Sequence, residues 1–372
     1  MRRVLILIAF GAAMLGLTDA RLLAAPLAYP VQVEQAWPVP NPPAPTAPSW
    51  LLYDDTAGAV IAARAPNERR AIASVTKIMT GLLVMERATM DDEVLISAKA
   101  AGTGEKEIDL EAGETLTVEA LFKALMVHSA NDAATALAEH IGGSVSGFVE
   151  MMNARAMELG LENTHFANPH GLDAPNHYST ASDLLVMARA AMEYPQFADA
   201  ARSTALVFPP DPDGNVRLGL STNLMLDDYE GMIGVKTGFT FQALLTFVGA
   251  AERDGRRIYA IVLGSEGQRG HFADARLLLD YAFDDMPYYQ MVSSGNPYVT
   301  ARAQLDPGPL TVERDAEAFV HLAAQGIFSD PPGPVGEAPI PEPPPLVETV
   351  VEPRRGPQSF WESVAFWFGG GG

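Results

Sequence analysis

The chain has 372 residues, enough for one large domain or two smaller ones. Hydrophobic residues make up 48% of it and cysteine is absent, which excludes a disordered polymer, disulfides, thiolate metal sites and a cysteine nucleophile. Acidic side chains outnumber basic ones 46 to 25, a formal net charge of -21, and this excludes nucleic acid as a partner, which needs a basic face.

In chain order, Met1-Arg2-Arg3 is a short basic start and Val4 to Leu17 an apolar run shorter than a membrane span. Ala20, Ala24 and Ala25 follow as candidate cleavage positions, so residues 1–25 read as a signal peptide. The alternative is an uncleaved N-terminal anchor. Both predict an exported protein, in a periplasm or on the outer face of the cytoplasmic membrane. Residues 26–48 are proline-rich and predict an extended linker that belongs to no core.

The ordered domain is expected over 49–286. Leu51 to Tyr53, a turn at Asp54-Asp55 and Gly58, and Ala59 to Ala63 predict two strands. From Ser74 to about Met85 the apolar residues Ile78, Met79, Leu82, Leu83 and Met85 predict a buried helix. Thr117 is a candidate N-cap for a helix whose apolar face is Val118, Leu121, Phe122, Leu125 and Met126. Ala133 to Ile141, Val145 to Leu159 and Ser182 to Ala191 read as three more helices. The period then changes. Ala243 to Ala251 and Ile258 to Leu263, joined by a turn at Asp254-Gly255, predict a hairpin of buried strands. Arg276 to Phe283 predicts a closing helix. Strands, then helices, then strands again indicate an α+β fold with a mostly antiparallel sheet. Residues 287–358 read as a largely irregular, proline-rich extension. In 359–372, Phe360, Trp361, Val364 and Phe368 share one helical face, an amphipathic segment suited to peripheral membrane contact.

Three short motifs carry chemistry. In Ser74-Val75-Thr76-Lys77, residues three apart on a helix share a face, so the Lys77 amine can reach the Ser74 hydroxyl. Serine is a weak nucleophile until a base takes its proton. Lysine serves only when neutral, and lowering its pKa from about 10.4 costs about 1.4 kcal/mol per unit. Burial and a second cation push that way, and Lys236 is the candidate. In Ser129-Ala130-Asn131 the hydroxyl can relay a proton and the amide can bind a peptide group. In Lys236-Thr237-Gly238 a cation and a hydroxyl can receive a carboxylate, and Gly238 leaves room for a substrate strand. Backbone N–H groups of Ser74 and Phe239 are candidates for an oxyanion hole. His165 and His177 lack paired acidic ligands, so no metal and no cofactor is expected. His170 reads as a structural hydrogen-bonding residue and His128 as a packed helix-end histidine.

The three motifs occur in the order known for penicillin-binding proteins and class A β-lactamases. With SWLLYDDTAGAVI, NERRAIASVTKIMT, HSANDAATALAEHIGG, ELGLENTHFANPHGLDAPNHYST and GMIGVKTGFT, the chain from about Ser49 to Phe283 resembles the serine D-alanyl-D-alanine carboxypeptidases. That resemblance implies a β-lactamase/transpeptidase-like fold with a helical subdomain. It implies that Ser74 attacks the bond between the terminal D-alanines of a peptidoglycan stem peptide. Lys77 would act as base, Ser129 and Asn131 would assist, and Lys236 and Thr237 would hold the terminal carboxylate. β-Lactam antibiotics would acylate the same serine as inhibitors. The resemblance has departures: an arginine common in relatives is replaced at His271, with Arg269 two residues earlier, and residues 287–330 are too few for the C-terminal β-domain many relatives carry. Rival readings are a class A-like β-lactamase using Glu158 or Glu162, a D,D-endopeptidase, and a non-catalytic wall-binding protein.

Overall fold

The computed structural model describes residues 43–285. The expected signal peptide, most of the proline-rich linker, the 287–358 extension, the reduced C-terminal β-domain and the 359–372 segment lie outside the described residues.

One five-stranded antiparallel sheet organises the domain. Its strands are β1 (Ser49–Asp54), β2 (Ala59–Arg64), β7 (Met232–Thr240), β8 (Leu244–Arg253) and β9 (Arg256–Ser265), in the order β2-β1-β9-β8-β7. Strands β8 and β9 read as continuous apolar runs because both faces of the sheet are covered. Val248, Ala250, Tyr259, Ile261 and Leu263 join the larger core cluster, whereas Phe247, Ala251, Ile258, Ala260 and Val262 join the smaller one. Asp254 and Gly255 both have positive φ, as a two-residue hairpin turn that matches strand twist requires. Strand β7 is left at the edge, which exposes backbone groups to a peptide.

The larger core is helical. Helix α1 (Lys77–Arg87) runs through its centre, buried without interruption from Lys77 to Val84. Around it lie α3 (Val118–Lys123), α4 (Asn131–Gly142), α5 (Val145–Glu158), α6 (Ala181–Met192) and α7 (Pro195–Ala201). Thr117 caps α3 as expected, its side chain accepting from Ala120 N. Short pieces fill in between: β3 (Glu93–Leu95) pairs with β4 (Thr115–Thr117), α2 (Ala98–Ala101) follows β3, and β5 (Ala205–Phe208) pairs with β6 (Arg217–Leu220). On the other face of the sheet, α8 (Met225–Asp228) and α9 (Gly270–Asp280) cover the smaller core.

Three expectations need correction. The proline-rich segment does enter the core at its end: Asp274 of α9 accepts hydrogen bonds from Thr46 N at 2.8 Å, Thr46 Oγ1 at 2.9 Å and Ala47 N at 3.0 Å. Ala47 is fully buried there. Ser74 is not on the long helix but on a 3-10 turn, Ala73–Thr76, that precedes α1. The closing helix begins at Gly270, because its buried stripe of Phe272, Ala275, Leu278 and Leu279 starts before Arg276.

Phe122 sits against Phe197 at 6.0 Å between ring centroids, both buried beside Gly81 of α1. Phe122→Ala is expected to cost about 3–5 kcal/mol of folding stability, read by thermal or urea denaturation.

Candidate active site

The site forms where the turn before α1, the N-terminus of α4 and the edge strand β7 meet. Ala73 has φ 50, a left-handed backbone that turns Ser74 back toward the sheet. The loop after α5 is laid against this turn. Asn168 folds that loop, accepting from Gly171 N at 2.7 Å and donating to Leu172 O at 2.8 Å. Gly171 has φ +95, and a Cβ there would lie 2.0 Å from Ala73 O. No other residue fits so close to the Ala73-Ser74 turn.

Lys77 opens α1 and is fully buried. Its Nζ lies 2.9 Å from Ser74 Oγ, 2.7 Å from Asn131 Oδ1 and 2.7 Å from the His170 carbonyl. Asn131 Nδ2 donates to Gly104 O at 3.0 Å, which fixes the orientation of its amide. Two of the three partners of Nζ are therefore pure acceptors. A neutral amine has two N–H groups for them and one lone pair, which then faces the Ser74 hydroxyl. Burial is the main cause that drives the Lys77 pKa well below its ordinary value. The charges of Lys236 and Lys106 add to that, and Asp132 opposes it.

Asp132 does not pair with Lys77. Its carboxylate accepts instead from Ile108 N, Leu110 N and Ala133 N. Burial nevertheless raises it to about 6. The bonds from Asp132, with Asn131 N donating to Lys106 O at 2.6 Å, hold residues 104–110 over the site.

Ser129 lies at φ 67, ψ 31, the left-handed end of a π-helical turn spanning Ala124–His128. That conformation costs a non-glycine residue about 1–2 kcal/mol, and it starts α4 two residues later with Asn131 pointing at Lys77. Lys236 is buried on β7, its Nζ 3.2 Å from Thr237 O. Burial first, then Lys106, lowers it to about 7. Thr237 Oγ1 meets Thr222 Oγ1 at 2.6 Å. A Cβ on Gly238 would lie 2.5 Å from Thr246 Oγ1 and 2.8 Å from Ser74 N. The glycine thus makes room for the Ser74 amide against the edge strand β7, one residue before Phe239.

All eight expected site residues, Ser74, Lys77, Ser129, Asn131, Lys236, Thr237, Gly238 and Phe239, lie on the three segments that converge here. Sequence reasoning missed Lys106, whose signal is only a basic residue among Glu105, Glu107 and Asp109. It also missed the His170 main chain: the carbonyl grips Lys77, while burial pushes the imidazole down to about 3 and leaves it neutral. His177 is structural in the same sense. Ala167 N donates to its Nδ1, so Nε2 carries the proton and donates to Thr76 Oγ1 at 2.7 Å. His128 lies 3.4 Å from Leu220 O and is lowered to about 4, chiefly by burial. His271, at the position where relatives commonly carry an arginine, is fully buried in α9, 3.9 Å from the Phe272 ring and edge-on to Phe247. It belongs to the packing of the opposite sheet face. Arg269 is the left-handed N-cap of that helix.

The family model described as D-alanyl-D-alanine carboxypeptidase, Peptidase S11, matches residues 38–267. The D-alanyl-D-alanine carboxypeptidase DacF of Bacillus subtilis is 38% identical over 64% of this chain and 62% of its own length. The match thus spans less than two thirds of that relative. DacD of Escherichia coli is 34% identical over 71% of this chain and 70% of its own. Among solved structures, the Streptomyces K15 DD-transpeptidase superposes with a TM-score of 0.62 at 31% identity, covering 65% of this chain and 98% of that one.

Replacing Lys106 by Gln removes one of the charges that depress Lys77 and Lys236. Both amines should then hold their protons to higher pH. The acid limb of the acylation rate with a fluorescent penicillin is expected to move to higher pH. An unmoved limb would show that Lys106 does not tune the base.

Proposed function

The chain belongs to the D-alanyl-D-alanine carboxypeptidase family, Peptidase S11, and from that premise we propose that it removes the terminal D-alanine from peptidoglycan stem peptides through a Ser74 acyl-enzyme. The observation that carries this reading is the buried Lys77 amine, 2.9 Å from Ser74 Oγ with its other two contacts both acceptors. Neutral Lys77 takes the Ser74 proton as Oγ attacks the carbonyl carbon of the penultimate D-alanine. The Ser74 and Phe239 N–H groups stabilise the oxyanion. Lys236 and Thr237 hold the terminal carboxylate. Ser129 passes a proton to the departing amine, and water then releases the shortened peptide. β-Lactams, whose carboxylate and strained amide mimic the D-alanine pair, acylate the same serine.

The β-lactamase alternative needs a carboxylate to activate the deacylating water. Glu158 is instead paired with Arg155 at the exposed end of α5, 3.0 Å away. An exported location follows from the basic and apolar start of the sequence and from a substrate outside the cytoplasm, and the aromatic 359–372 segment supports a peripheral membrane contact. Partition of the full-length protein and of one lacking 359–372 between membrane and soluble fractions tests this contact. Equal partition would refute it.

Intact mass with and without penicillin, followed by D-alanine release from a diacyl-L-Lys-D-Ala-D-Ala peptide, tests the activity. One long-lived adduct on Ser74 and released D-alanine are expected. Ser74→Ala should abolish the adduct, and Lys77→Ala should slow acylation by about two to four decades. Rapid turnover of penicillin, or normal acylation of the Lys77 variant, would overturn the assignment.

A further inference from the structure

Beyond the end of β7 opens a polar cavity of about 500 Å³, walled by Arg69, Arg70, Asp173, Tyr178 and Gln242 among others. Its place relative to the reacting atoms is set by the strand. With the terminal carboxylate at Lys236 and Thr237 and the scissile carbonyl at the Phe239 N–H, an extended peptide on this edge runs its upstream end toward Thr240. At about 3.3 Å per residue, the residue before the D-alanine pair falls beside Thr240, and a long side chain from it reaches Gln242. Asp173 marks the junction: its carboxylate accepts from Thr240 Oγ1 at 2.7 Å and from Gln242 N at 3.3 Å. Both its oxygens are thereby engaged by the strand end.

The two arginines differ. Arg70 Nη1 is paired with Glu68 at 2.7 Å. Arg69 donates Nε to the Asn163 amide oxygen at 3.1 Å and lays its guanidinium 4.9 Å from the centre of the Tyr178 ring. Among the described residues no carboxylate lies within ion-pair distance of Arg69. Its orientation is fixed by two neutral partners, and its charge is not neutralised. A guanidinium held in this way, on the wall of a cavity in line with a substrate strand, is suited to an incoming carboxylate.

We propose that this cavity is a subsite for the side chain of the residue before the D-alanine pair, and that Arg69 selects a side chain ending in a carboxylate. The proposal rests on the peptidase reading above. It is tested with two isosteric peptides, N-acetyl-L-glutamyl-D-alanyl-D-alanine and N-acetyl-L-glutaminyl-D-alanyl-D-alanine, by D-alanine release. The wild-type protein is expected to favour the glutamyl peptide by about five- to tenfold in kcat/KM, the scale of one charge-assisted contact at a partly wet site. Arg69→Gln should bring the ratio near one, and Arg69→Lys should restore part of it. Because the measure is a ratio, a partial loss of folded protein cancels. A wild-type ratio near one, or a preference that survives in Arg69→Gln, overturns the subsite while D-alanine release leaves the activity standing. Release from neither peptide overturns the activity and the subsite together.

Discussion

A lysine amine enclosed by protein at the start of a central helix is the constraint around which this domain is arranged. Two ways exist to keep a buried lysine: give it a carboxylate, or take away its proton. The first would leave Lys77 charged and useless as a base. The carboxylate next door, Asp132, is turned onto three backbone N–H groups, and what Lys77 receives is an amide oxygen, a carbonyl and a hydroxyl. The second lysine intensifies the effect. Holding Lys236 near 7 instead of at 10.5 costs about 4 kcal/mol at neutral pH, since an unfolded chain would bind that proton. That is comparable with the whole net stability of many domains. A small core could not offset it. The large cluster that encloses α1 can, which suits the entry to this helix to a buried lysine.

The second requirement is close approach of main chains. The proposed oxyanion donors come from a turn and a strand far apart in sequence, and side chains would hold them apart. Gly171 and Gly238 remove that obstacle where each meets the Ala73-Ser74 turn, in which Ala73 itself adopts a left-handed backbone. The overhanging β5–β6 hairpin is fastened by one buried residue. Arg217 donates to both carboxylate oxygens of Glu114 at 2.9 Å and to the Asp109 carbonyl at 3.0 Å. The same 104–114 stretch, which carries Lys106, is thus held by both Asp132 and Arg217.

Much of this was legible in the sequence, and the residues show why. The loss of helical period, the Asp254-Gly255 turn and the apolar runs specified β8 and β9 because strands buried on both faces leave an uninterrupted signal. The proximity of Ser74 and Lys77 was legible because a hydroxyl three residues before a lysine falls within its reach at the start of a helix. What was not legible depends on long-range backbone contacts. The grip of the His170 carbonyl on Lys77 uses no side chain, so the imidazole drew attention to the wrong atom. Ser74 was placed on the long helix because a 3-10 turn and an α-helix share the spacing of their first residues. His271 aligns with an arginine of the relatives by its place in the chain, whereas the packing of Phe247 and Phe272 around it decides where it sits. The end of the proline-rich segment was dismissed on composition, although backbone N–H groups of Thr46 and Ala47 suffice to anchor it to Asp274.

The cluster of cations also explains how a base that is neutral at rest can hold a proton when it must. In the empty site burial first, and then the charges of Lys236 and Lys106, depress Lys77, so it is ready to accept. In the proposed reaction a substrate or a β-lactam would bring a carboxylate to Lys236 and Thr237. That negative charge acts on the same amines with the opposite sign and raises their affinity for protons. By linkage, whatever the carboxylate gains from the protonated amines, they gain from the carboxylate. On that reading Lys77 would be a stronger base in the complex than in the empty site, at the moment the Ser74 proton has to move. A ligand lacking the carboxylate would meet the nucleophile without strengthening its base, so recognition of the chain end and activation of the serine are two consequences of one electrostatic arrangement.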